Sequence, residues 1–202
     1  MASSKNVFKW IFSKIFRRKY IIITLPGHYS WRNENLVMAL RDIPKHGVHK
    51  NDIGGSVEGY RNLSQFGNAW VAEHGIVRGK ARVSGNAIVR SNAEVFGHAR
   101  IKGNAIVYGR AKVYDHAQVK GSAEIYCQAS VSQHAKVKDR AYVHGDALLY
   151  GNCIVSGNSL IRENARICDM AVVHDSDISG DTTIRNDAHV VGRRIRDKII
   201  FN

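Results

Sequence analysis

From Gly67 onward the chain repeats one pattern of six residues, as in GNAWVA, EHGIVR, GKARVS, GNAIVR and GNAIVY. One slot is always aliphatic. It opens with Val71, Val77, Val83, Val89, Val95 and Ile101 and keeps this spacing to Val173. After a one-residue deletion it resumes at Ile178, Ile184 and Val190, giving 21 occupants that are all Val, Ile or Leu. Two residues before each lies a small side chain: Ala in 16 cases, and Gly75, Cys153, Ser159, Ser176 or Thr182 in the others. An even period keeps the aliphatic residue on one face of a strand. The small residue shares that face and fits where the chain crowds at a bend. Two positions after the aliphatic residue Gly is frequent (Gly79, Gly85, Gly97, Gly103, Gly109), and the next slot is often Asn, as at Asn86, Asn92, Asn104 and Asn152. Gly and Asn accept positive φ at low cost, so each hexad predicts a short strand plus a corner. Strands bent repeatedly in one sense wind into a parallel β-helix. The absence of proline after Pro44 agrees, because a proline would remove a ladder hydrogen bond. The expected fold class is therefore all-β, a single-stranded parallel β-helix.

This pattern resembles the hexapeptide-repeat, left-handed β-helix proteins, in which three hexads make one triangular coil. Handedness and the triangle are implied by that resemblance. Twenty-one hexads then make seven coils of 18 residues, a prism about 34 Å long at ~4.8 Å per coil. Upstream, Asp52-Ile53-Gly54-Gly55, Glu58 and Asn62-Leu63-Ser64-Gln65 lead into Gly67-Asn68-Ala69-Trp70-Val71. This stretch is similar to the lead-in segment of a group of hexapeptide-repeat proteins from phages, prophages and enterobacteria. That group has no settled biochemical role, and its members are often labelled acetyltransferase-like on fold alone. The expected organisation is a basic amphipathic arm (1–25), a lead-in and cap segment (26–66), the β-helix (67–191) and a basic C-terminal cap (192–202).

Composition sharpens the functional question. The chain has 202 residues, and 30 Lys+Arg against 17 Asp+Glu give a net charge of +13. Such a balance points to an anionic partner: an acidic protein, nucleic acid or an acidic lipid surface. Cys127, Cys153 and Cys168 are odd in number and widely spaced, which excludes a disulfide framework and a thiolate zinc site. No cofactor motif is found.

Three hexads per coil assign the outward residues to three faces. One carries Arg82, Arg100, Lys102, Lys120, Lys136 and Lys138, with Gln118 between them. Like charges on neighbouring strands destabilise a sheet, so this strip suggests a counter-charge supplied from outside. Its plainer reading is a solvated face. A second face presents Trp70, Ile88, Ile106, Tyr142 and Leu160, an apolar stripe interrupted by Glu124. Its expected cover is either another subunit, as in the trimers typical of the fold resembled, or the N-terminal arm. The third face, with Phe96, Tyr114 and Tyr150, is mixed; tyrosines beside a basic strip could stack on bases.

His98, His116 and His134 recur every 18 residues and should stack at one corner, as weak metal candidates or, more simply, a turn ladder at positive φ. Acyltransferases of similar fold use a His as general base, and His74, His144, His174 and His189 are the candidates. None has a recognisable partner in the sequence, and no insertion interrupts the hexads to shape a pocket for acetyl-CoA. Residues 5–19 have helical periodicity: Phe8, Ile11, Phe12 and Ile15 share an arc, with Trp10 beside them and six cations in residues 1–20. That is the signature of a membrane-surface helix, or of a helix that caps the solenoid. Lys9 and Lys14 interrupt its apolar run and no cleavage site follows, so the expected location is cytoplasmic, with a peripheral place at the membrane as the alternative. The leading expectation is a non-catalytic binding or scaffold protein of phage or bacterial origin, self-associating, with a basic face for an anionic partner such as a blocked host factor. The alternatives are a hexapeptide-repeat acyltransferase and a direct nucleic-acid binder.

Overall fold

The computed structural model describes residues 18–25 and 34–202. The hexads become two-residue strands six residues apart: β4 (Trp70–Val71), β5 (Ile76–Val77) and β6 (Arg82–Val83) are the first three. Before them lie β1 (Tyr20–Leu25), β2 (Glu34–Ala39) and β3 (Ile53–Val57). Each repeat strand pairs in parallel with the strand one coil on, 18 residues away before the deletion, as in Val71↔Val89 and Val83↔Ile101, and 17 across it, as in Ile161↔Ile178. The coil thus closes every three hexads into three sheets of 11, 8 and 7 strands.

Eight strands in one sheet mean about eight coils rather than the seven that hexad counting suggests. The coil extends past the strict repeat at both ends. Ser56 of β3 pairs with Ile76 and Leu63 bridges to Val83, so the lead-in residues form a first turn. At the other end Arg194–Arg196 pair with Asp177–Ser179, and Ile199–Ile200 with Thr183–Ile184. The tail continues the winding.

Both inward slots are closed to solvent along the whole prism, from Ala69 and Val71 to Ala188 and Val190. Alanine leaves room for the bend while the aliphatic residue fills the triangular interior. Between rungs the ladder is regular, as where the Ile106 N–H donates to the Ala123 carbonyl at 3.0 Å. Positive φ falls on the residue two after the aliphatic, for example Gly85 (+72°), Asp115 (+55°) and Gln133 (+55°). At Gly151 (φ +76°) an added Cβ would lie 2.6 Å from the Asp169 nitrogen of the next rung. The following slot, expected to share the positive φ, adopts it only at His74 (+60°) among the described repeats. Asn68, Asn86 and Asn104 there link by side-chain amides at 2.9 and 3.1 Å instead.

The N-terminal end is covered by the chain itself. β1 and β2 form an antiparallel hairpin that continues through β3 into the 11-stranded sheet. Lys19 and Tyr20 are fully buried over the first rung. The Lys19 Nζ donates to the Ala69 carbonyl at 2.6 Å, and the Tyr20 hydroxyl to the Leu63 carbonyl at 2.6 Å. Gly54 lets β3 lie against the first rung: a Cβ there would sit 2.7 Å from the Trp70 ring. Trp70 is therefore only 2% exposed, which corrects its place in the apolar stripe; this chain's own lead-in already covers it. The proposed surface helix with Phe8, Trp10, Ile11, Phe12 and Ile15 lies outside the described residues. Among those described, no helix is long and apolar enough to cross a membrane.

Candidate anion-binding face

The 7-stranded sheet carries the cations. Register pairs Arg82 with Arg100, Arg100 with Gln118 and Gln118 with Lys136, one residue before each inward aliphatic. One residue after it, Lys102, Lys120 and Lys138 form a second column, their backbone N–H groups donating to Val119, Val137 and Val155 at 2.9 to 3.0 Å. Rungs ~4.8 Å apart set the spacing along each column. All six side chains share one sheet; five are exposed and Lys138 is half-buried. Further along the sheet Ile154 and Val172 end the first column.

No described carboxylate lies within ion-pair distance of these six cations. The nearest corner acids are engaged with backbone: Asp115 accepts the Gln133 N–H at 3.2 Å and Asp139 the Gly157 N–H at 3.1 Å. At the N-terminal end the strip opens into a depression of about 430 Å³ lined by Arg61, Lys80, Arg82, Ser84, Arg100 and Lys102. Arg61 and Lys80 escape a reading by hexads, since Arg61 belongs to the lead-in turn and Lys80 to a corner, whereas Ser84 holds the slot of Lys102 one rung earlier.

On the other two sheets acids sit among the cations. Glu94 contacts Arg78 and Lys112. Asp177 lies 3.2 Å from Arg162 and 3.4 Å from Arg194, and Glu163 contacts Arg162 and Arg196 at 3.1 and 3.0 Å.

The remaining stripe of Ile88, Ile106, Tyr142 and Leu160 is one continuous ladder through Glu124, half-buried except at Tyr142. Beside it the rings of Tyr108 and Tyr126 stack at 4.9 Å, and Tyr126 on His144 at 4.6 Å. Burial, then Glu124, raises the Tyr108 pKa, and burial lowers that of His144.

His98, His116 and His134 do stack, ring on ring at 4.6 and 5.0 Å, presenting faces to one another rather than converging nitrogens. No group of three or more potential ligands among the described residues is placed to hold a metal ion. Of the candidate bases, His74 contacts Glu73 at the surface. His174, without partners in the sequence reading, has two: Ser156 Oγ at 3.0 Å from Nδ1 and Asp175 at 3.0 Å from Nε2. The trio has the order of nucleophile, base and orienting acid. Yet Ser156 is only 4% exposed, and Asp175 also accepts the Asn158 N–H at 2.7 Å. A carbonyl substrate has no approach to a hydroxyl so enclosed. The trio instead closes the corner that the one-residue deletion shortens, where the Ser176 hydroxyl donates to the His174 carbonyl at 2.8 Å.

No protein-family model matches this chain, and no curated protein does.

Proposed function

We propose that the protein is a non-catalytic binding protein of the phage-type hexapeptide-repeat group, whose basic face docks an acidic protein partner. One observation carries this reading: six cations stand in two columns on one sheet with no carboxylate in range among the described residues, while acids bridge cations on the other two. A column of unneutralised charge costs the fold stability, and a complementary surface offsets that cost. Ring stacking favours a protein over a nucleic acid. Phe96 and Tyr114 stack on each other at 4.9 Å and Arg78 lies over the Phe96 ring at 5.5 Å, which leaves bases only the outer face of Tyr114 in this pair.

Poly-L-glutamate is the probe. The wild-type protein should retain it at moderate salt, and Lys102→Glu with Lys120→Glu and Lys138→Glu should abolish retention while leaving the melting profile cooperative. Retention by the folded triple variant overturns the reading. Tighter binding of duplex or single-stranded DNA, with the steeper salt slope of phosphate contacts, transfers it to nucleic acid. Self-association through Ile88, Ile106, Tyr142 and Leu160 is the companion proposal. Light scattering should show a smaller particle for Ile88→Asp with Ile106→Asp, and an unchanged mass overturns it.

A further inference from the structure

We infer that the depression at the N-terminal end of the basic face is a binding site for a compact anion carrying two or three linked phosphoryl groups. Its cations come from separate places in the chain. Arg61 comes from the turn after β3, Lys80 from the corner between β5 and β6, Arg82 from β6, and Arg100 and Lys102 from the rung above. Ser84 adds a hydroxyl donor. This convergence is local, unlike the open columns of Lys120, Lys136 and Lys138.

Charge selects the ligand class. Among the described residues Glu58 alone touches the group, 3.6 Å from Arg61, and its other oxygen accepts the Gly79 N–H at 2.7 Å. Lys80, Arg82, Arg100 and Lys102 have no counter-charge within ion-pair distance among the described residues. A single phosphate group, at about −1.5 to −2 near pH 7, balances at most half of these four. Linked phosphoryl groups balance them together. Arg82 and Arg100 are direct register partners, so their backbones lie ~4.8 Å apart, and their forks can reach neighbouring phosphoryl oxygens in pairs. Among the described residues no aromatic side chain lines the depression to hold a nucleobase, so recognition falls on the phosphoryl chain.

The site draws on the same basic face as the proposed protein docking and rests on that reading of its charge, yet the two fail separately. Sodium tripolyphosphate is titrated calorimetrically at constant ionic strength against three proteins: wild type, Arg82→Gln with Arg100→Gln, and Lys120→Gln with Lys136→Gln and Lys138→Gln. The expected result is saturable binding to wild type, weakened about tenfold or more in the arginine pair and about twofold or less in the lysine triple. Tripolyphosphate should also raise the melting temperature of wild type and not of the arginine pair. Equal losses in both variants, or orthophosphate binding as tightly as tripolyphosphate, overturn the site in favour of a diffuse field. Loss of poly-L-glutamate by the lysine triple, with its tripolyphosphate affinity kept, tells the two readings apart, because those three lysines belong to the docking face and not to the depression.

Discussion

The 7-stranded and 8-stranded sheets share one period, one core and one kind of corner, yet they treat charge in opposite ways. On the 8-stranded sheet Asp177 occupies the slot before an inward aliphatic and lies between Arg162 and Arg194. On the 7-stranded sheet the equivalent slot between Arg100 and Lys136 holds Gln118. The backbone permits an acid at either place. Neutralisation is therefore a property of single side chains and not of the coil, so the charge on the basic face can be altered without touching what folds the solenoid.

Lys19 tests how far an unneutralised cation can be tolerated, because it is buried where the strip cations are exposed. Burial, then the nearby Arg41, lowers its pKa from 10.5 to about 8. His46 lies on the same side, its own pKa lowered by burial and then by Lys45 and Lys19. Below pH 8 both folded and unfolded chains hold the Lys19 proton, and the native state bears the desolvation. Between pH 8 and 10.5 the native state releases the proton while the unfolded chain keeps it, so this group's contribution to stability rises with pH, by up to about 3 kcal/mol. Cys153, pushed up from 9.0 to about 12 by burial, acts in the opposite direction above pH 9, and Tyr20, pushed up to about 12 by burial and Tyr60, does so above pH 10, so stability should peak at about pH 9. Urea unfolding across this range should show the rise in wild type and its absence in Lys19→Met. An equal slope in both would mean that the buried amine is not the source.

A smaller effect separates the two faces directly. Asp177→Asn removes a carboxylate that Arg162 grips through Nε and an Nη, both at 3.2 Å, and leaves Arg194 unpaired as well. These groups are partly exposed, so the expected loss is about 1–2 kcal/mol. Lys120→Gln on the basic face should change stability by less than about 0.5 kcal/mol, with any change a gain. Urea midpoints at low and high salt decide it: salt should narrow the gap between Asp177→Asn and wild type. Equal costs for both variants would erase the distinction between the faces.

Much of the fold is legible because one rule, an aliphatic residue every six positions with a small one two before it, holds from Ala69 to Val190 with a single one-residue deletion. Periodicity also places Arg82, Arg100, Lys102, Lys120, Lys136 and Lys138 on one sheet, since their offsets from the aliphatic slot are constant. What escapes it has no constant offset. Trp70 looks exposed by its slot, and only the non-repeating Gly54 strand reveals its cover. Arg61 joins the depression through a turn that obeys no hexad, and the coils formed by residues 53–66 and 194–200 lack the Ala-x-Val pattern altogether. The histidine corner shows the same limit: a period predicts that rings stack, but φ belongs to the preceding residue, where Gly97, Asp115 and Gln133 make the turn.

Gln118→Glu gives the smallest shift in stability and the clearest separation of folding from binding. It places an acid where its register partners are Arg100 and Lys136, as Glu94 sits beside Lys112 on the neighbouring sheet. Opposite charges on adjacent strands contribute roughly 0.2–1 kcal/mol, so the variant should unfold at slightly higher urea than wild type. The same carboxylate engages two strip cations and repels an acidic ligand. Retention of poly-L-glutamate should therefore fall about fivefold, equivalent to roughly 1 kcal/mol. Gln118→Leu, similar in size and uncharged, should leave retention within about twofold of wild type. Opposite signs for stability and capture are expected only if the basic face is held unneutralised for a partner; a variant that gains stability and keeps its ligand would make the face a solvated surface and nothing more.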